Sequence, residues 1–177
     1  EDPGIVNKWY AASANLTDWK TMKLPQAWEG AGLPALDGVV WFRKDVTLAA
    51  ADAGKDAILS LGPIDDSDET YVNGIKVGKT ENRYDAPRVY KIPAGTLKTG
   101  LNVVSIKVID TGGGGGLWGM DDQVYLEAGG TKIDLAGNWL YKVGLNLPAP
   151  RESSSPNSFP SLLYNAMIHP IVKYAVK

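Results

Sequence analysis

Cysteine is absent from the 177 residues, and histidine occurs once, as His169. The first absence removes disulfides, thiolate nucleophiles and cysteine-based zinc sites; it leaves the compartment open, because secreted proteins without cysteine are common. The second leaves nucleophilic catalysis a single imidazole to draw on. An excess of one charge is also missing: 18 Lys and Arg stand against 20 Asp and Glu. Without a broad cationic field, nucleic acid and anionic membrane surfaces are poor partners. No apolar run reaches the roughly 18 residues that span a bilayer. The opening "EDPGIVNKWY" has neither the basic nor the apolar region of a signal peptide, so the expectation is that any such segment was removed or lies further upstream.

What is there is a chain with 44% hydrophobic residues, enough for one domain with a proper core and a tail. From Gly38 to about Gly144 it reads as short β-type runs broken by turn residues. In "GVVWFRKDVTL", Val40, Phe42, Val46 and Leu48 share one face while Trp41, Arg43, Asp45 and Thr47 share the other, the period of a half-buried strand. "AILSLG", "RVYKIP", "LNVVSIKVID", "QVYLEA", "TKIDL" and "NWLYKV" follow the same logic. In "ETYVNGIKVG" the pair Asn73-Gly74 tolerates positive φ at both positions and predicts a two-residue hairpin turn. No helical crossover separates these runs, so the expected fold class is all-β, a β-sandwich.

The flanks differ. Trp9, Trp19 and Trp28 lie in loop-like text and are expected to cover one end of the sandwich. "LNLPAPRESSSPNSFP" reads as a linker, and "PSLLYNAMIHPIVKYAVK" as a helix carrying Leu163, Met167, Ile171 and Tyr174 on one side. The domain boundaries expected are a sandwich over 1–145, a linker over 146–160 and a helical tail over 161–177. Pro170 kinks this helix beside His169, which has no Asp, Glu, Ser or Cys close in sequence, so a helix-end or surface role outweighs a catalytic one. The apolar side of the tail invites dimerisation or docking.

Motifs that carry chemistry are few. "DTGGGGGLWGMDD" contains G-x-G-x-x-G at Gly114, Gly116 and Gly119, but a β-type run follows where a dinucleotide turn would open a helix, so no cofactor is expected. The bland alternative is a flexible loop. Trp118 on that loop is either a platform for a sugar ring or a plug in the sandwich. "GPIDDSDETYVNG" offers Asp65, Asp66, Asp68 and Glu69, whose spacing lacks the glycine and distant glutamate of a calcium loop, so no metal is expected; a solvated strand start is the plainer reading. The candidate carbohydrate contacts are Trp118, Asp66, Tyr84 and Arg88, and no catalytic residue is assigned.

"VVWFRKDVTL", "ILSLGPIDDSDETYVNGIKVG" and "GLNVVSIKVID" are similar to the galactose-binding-like jelly roll that accompanies β-galactosidase and β-glucuronidase catalytic domains. The shared features are a W-[FY]-R strand, an acidic strand start leading to V-N-G-x-x-V-G, and G-x-N-V before an apolar strand. The tail resembles the segment that returns the chain to the catalytic domain in sialate O-acetylesterases of the SGNH hydrolase superfamily, after an inserted β-sandwich. That family's G-Q-S-N, W-Y-Q-G-E and Asp-x-x-His motifs are absent, and His169 matches none of them. The resemblance implies a noncatalytic carbohydrate-binding-like insertion in a larger esterase of carbohydrate metabolism. Its partners would be an acetylated sugar or glycan and the remainder of the parent hydrolase, in a periplasmic or secreted setting. A purely structural insertion and an accessory domain of a glycosidase are the alternatives.

Overall fold

The computed structural model describes residues 1–147. His169, the helical tail and nearly all of the expected linker lie outside the described residues. A single helical turn, α1 (Pro3–Val6), precedes the strands β1 (Lys20–Leu24), β2 (Gln26–Ala27), β3 (Gly38–Leu48), β4 (Ala57–Asp65), β5 (Ser67–Val72) and β6 (Ile75–Thr80). β7 (Pro87–Ile92), β8 (Gly100–Asp110), β9 (Gly116–Leu117), β10 (Val124–Ala128), β11 (Thr131–Asp134) and β12 (Gly137–Asn146) follow. The front sheet runs β1-β12-β3-β8-β5-β6. The back sheet runs β11-β10-β4-β9-β2, with β7 on β4 as well. All pairings are antiparallel. The all-β jelly-roll sandwich expected from the sequence is therefore the fold of the described residues.

The period of two explains the core between the sheets. Val40, Phe42, Val46 and Leu48 of β3 point inward, meeting Leu59 and Leu61 of β4 and Val124 and Leu126 of β10. The other face of β3 departs from expectation. Trp41 is wholly buried and Arg43 nearly so, because residues 1–19 lie across the outside of the front sheet. Trp9 and Trp19 meet edge-on at 5.6 Å, Trp9 meets Trp41 at 6.3 Å, and Tyr10 stacks on Tyr71 at 4.7 Å. Arg43 donates to the carbonyls of Ala11 and Ala12, which is how a charge facing this layer is accommodated.

Asp2 fastens the cover. It accepts from the Trp41 indole at 3.2 Å, pairs with Lys107 at 3.0 Å and caps the Gly4 N–H at 2.8 Å. A Cβ on Gly4 would sit 2.1 Å from Trp41 Nε1, so only glycine permits this approach. Trp28 takes a third position, fully buried between the sheets with its Nε1 donating to Leu36 O at 3.1 Å. The expectation that three tryptophans cover one end is thus corrected. Alternation along β3 shows which residues share a face; it does not show that both faces are covered.

The Asn73-Gly74 turn forms as expected, with φ of 51° and 84° and Val72 opposite Ile75. Asn73 does more than turn: its side chain accepts from Val103 N–H at 2.9 Å and donates to Thr96 O and Asn102 Oδ1.

Candidate functional site

One end of the sandwich collects the end of β4, the start of β5, the 81–86 loop, the end of β8 and the glycine-rich 112–119 stretch. This stretch is a seated element, in contrast to the flexible loop expected. Leu117 is wholly buried, Gly115 N–H donates to Glu29 Oε1 at 2.8 Å, and Gly115 O accepts from Trp28 N–H at 3.0 Å. A Cβ on Gly115 would lie 2.1 Å from the Trp28 ring, so its missing side chain is what lets the loop pack here. A 3-10 turn (Asp121–Gln123) and β10 follow, with no dinucleotide-type helix.

Trp118 is 45% exposed, so it is no plug. Its Nε1 donates to Tyr84 O at 3.0 Å, and its backbone N–H donates to Pro63 O at 3.2 Å; the indole is therefore an oriented surface. Tyr84 is 60% exposed beside it. Asp66 accepts from Thr111 through both N–H (3.1 Å) and hydroxyl (2.7 Å), and its carbonyl accepts from Arg88 Nη2 at 3.0 Å. All four residues singled out in the sequence thus converge on this end.

Arg88, however, is 1% exposed and cannot present its guanidinium to a ligand. It donates through Nε to Asp68 Oδ1 at 2.8 Å and through Nη1 to the carbonyls of Arg83 and Ala86. Arg88 is a brace that shapes the 81–86 loop. Its partner Asp68 is equally buried and also accepts from Thr70 and Tyr90, so the solvated strand start expected for this acidic run is corrected at Asp68. Burial, then the charge of Asp68, pushes the Tyr90 hydroxyl up, which keeps it a donor to that carboxylate.

The sequence reading missed three carboxyl groups at this end as contacts. Asp65 adjoins Asp66 through a cis peptide bond. Asp110 is wholly buried; its Oδ1 accepts from Gly112 N–H at 2.9 Å, while Oδ2 has no partner. Glu29 holds the Gly115 N–H from the other side. Asp65 lay within the acidic run already noted, whereas Asp110 and Glu29 carry no local signal. Among the described residues no three His, Cys, Asp or Glu side chains are placed to hold a metal ion.

Burial, the hydrogen bond to Asp66, and the charges of Asp66, Asp110 and Glu29 push Asp65 up to about 7. Burial works the same way on Asp66, but hydrogen bonds from Thr111 and Asp65 outweigh it and hold Asp66 below its ordinary value. Burial also raises Asp110. Between the ordinary aspartate value and about 7 the folded chain keeps a proton on Asp65 that the unfolded chain has lost, so stability falls as pH rises through that window. Asp110 acts in the same direction; Asp66 acts oppositely, its contribution being lost in acid. Asp65→Asn is expected to flatten the decline and stabilise the chain at pH 8 by about 1–2 kcal/mol, a value reduced for solvent screening. Melting curves from pH 4 to 8 check this, and an unchanged pH slope contradicts the raised titration of Asp65.

A hollow of about 510 Å³ lies near the opposite end of β4 and is lined by Asp56, Ile58, Lys91, Ile92, Glu127 and Gly130. It has no aromatic platform.

No protein-family model matches the chain, and no curated protein matches it by sequence. Solved structures do. β-Glucuronidase 2 from Bacteroides uniformis aligns with 75% of this chain at a TM-score of 0.53 and 20% identity, over 15% of its own length. A β-glucuronidase from Ruminococcus gnavus aligns with 81% of the chain at 0.52 and 18%, over 27% of its length. One from an uncultured Clostridium species aligns with 79% at 0.51 and 14%, over 25%. At such identities the likeness is one of fold: a β-sandwich of the kind found within these glycosidases, spanning about a quarter or less of their length.

Proposed function

We propose that this chain is a noncatalytic carbohydrate-binding domain of a larger carbohydrate-active hydrolase, with Trp118 as the sugar platform. The observation that carries the reading is the orientation of Trp118. An indole left 45% exposed yet fixed through its Nε1 offers a rigid apolar face at low entropic cost. Tyr84 holds the indole in place through its carbonyl, and Asp66 belongs to the same end of the sandwich. The resemblance of the tail favours a sialate O-acetylesterase-like parent, in which the domain would shape or orient the substrate cleft. The likeness to β-glucuronidase domains favours a glycosidase parent. Coding sequence on either side of this chain separates the two: G-Q-S-N upstream and W-Y-Q-G-E downstream for the esterase, a glycosidase barrel for the alternative.

Binding itself is tested on a glycan array and by titration with galactose, sialic acid and xylan fragments. Trp118→Ala is expected to weaken binding at least tenfold while changing stability by less than about 1 kcal/mol, as suits a half-exposed side chain. A folded chain silent on every glycan favours a purely structural brace.

A further inference from the structure

We propose that residues 1–19 are a releasable strap: clasped at Asp2, they open as a unit from the outer face of the front sheet while the sandwich stays folded. This goes beyond the carbohydrate-binding reading and does not depend on it. The first support is how the segment is bonded. Every backbone hydrogen bond made by residues 1–19 closes within the segment, from Ile5 N–H to Asp2 O at its start to Trp19 N–H to Leu16 O at its end. Among the described residues no backbone hydrogen bond joins it to a strand of the sheet. β1 begins at the next residue and is laddered to β12, with Lys20 opposite Tyr141, so the boundary between strap and sheet is sharp.

The polar attachments are side chains of the sheet that reach outward. Trp41 and Lys107 hold the Asp2 carboxylate, Arg43 holds the carbonyls of Ala11 and Ala12, and Lys142 holds Thr17 O at 3.2 Å. In these contacts the strap contributes one charge, that of Asp2. The clasp is therefore a single buried carboxylate shared by a cation, an indole and the Gly4 N–H.

The second support is what the closed strap leaves unpaired. Four buried side-chain atoms among the described residues lack a hydrogen-bond partner, and three of them, Trp19 Nε1, Arg43 Nε and Ser105 Oγ, belong to this layer. Ser105 lies opposite Arg43 and Tyr71, on the outer side of β8, since Val104 and Ile106 point into the core. Water satisfies all three once the strap lifts, which offsets part of the cost of exposing apolar surface. A layer without ladder bonds and with unpaired polar groups opens ahead of the domain it covers.

Opening uncovers a definite surface. Trp41 and Tyr71 lie 5.9 Å apart at 28°, and Tyr10 stacks on them at 6.2 Å and 4.7 Å. Lifting the strap removes Tyr10 and bares both rings, together with Arg43 on the strand of Trp41 and Lys107 opposite Trp41. The strap thus controls whether an aromatic and cationic face meets solvent.

Exchange of indole N–H groups with deuterated water, followed by NMR on the full chain, tests this. Trp41, whose Nε1 donates to Asp2, reports the strap; Trp28 and Trp139, both buried between the sheets, report the sandwich. Trp41 is expected to exchange roughly tenfold or more faster than the other two, since it needs only the local opening. Asp2→Ala should speed Trp41 by a further factor of about ten and leave Trp28 and Trp139 within about twofold. Should that variant not fold, the unmodified chain decides in low urea: local opening gives Trp41 a shallow urea dependence and the sandwich indoles a steep one. Equal exchange of all three indoles, with equal urea dependence, overturns the proposal, for the cover then leaves only when the sandwich unfolds. Acceleration of all three alike in Asp2→Ala overturns it as well, and so does a Trp41 rate that the substitution leaves unchanged.

Discussion

Replacing Arg88 with methionine is expected to destabilise the chain by about 3–5 kcal/mol, as removal of one partner from a buried ion pair generally does. The pair joins the two sheets, since Asp68 belongs to β5 in the front and Arg88 to β7 in the back. Both side chains are wholly buried, and the thioether leaves the Asp68 charge with only Thr70 and Tyr90 as donors. The carbonyls of Arg83, Ala86 and Asp66 lose their common donor at the same time, so the loop bearing Tyr84 loosens and sugar binding weakens with stability. Urea unfolding measures the loss. The double variant Asp68→Leu/Arg88→Met should recover more than half of it, because an apolar pair carries no stranded charge. A single variant within about 1 kcal/mol of the unmodified chain contradicts the brace.

Trp28→Ala is expected to cost a similar amount, about 3–5 kcal/mol. Its indole is wholly buried, stacks near Phe42 at 6.4 Å and donates to Leu36 O, so truncation opens a cavity and strands that carbonyl. Gly115 lies directly on the ring, which means the cavity opens beneath the glycine stretch that presents Trp118. Stability and ligand affinity should therefore fall together in Trp28→Ala, whereas Trp118→Ala separates them. Thermal unfolding and titration on the same sample compare the two.

These two residues also show how far the sequence could be read. The long strands and the Asn73-Gly74 hairpin were legible because a period of two and a turn with two positive φ angles are local properties. The two-residue strands β2 and β9 were not, since two residues carry no period. Arg88 and Asp68 look like surface charges in the text; their burial depends on a pairing across 20 residues and two sheets. Trp118 stood out as an indole among glycines, but nothing near Asp110 or Glu29 indicates that the fold brings them to the same glycine. The placement of Trp28 was missed for the same reason: loop-like sequence does not say which layer its anchor enters.

The distribution of indoles gives this chain optical reporters for separate regions. Trp9, Trp19 and Trp41 sit together under the cover of the front sheet, Trp28 and Trp139 lie between the sheets, and Trp118 stands apart at the candidate site. Emission from the first two groups reports two different dry environments, and the long-wavelength component belongs chiefly to Trp118. A quencher dissolved in water should reach Trp118 first, and a bound sugar should shield it. Fluorescence during unfolding can thus follow release of the amino-terminal cover, separation of the sheets and occupancy of the site as distinct events in one unlabelled sample.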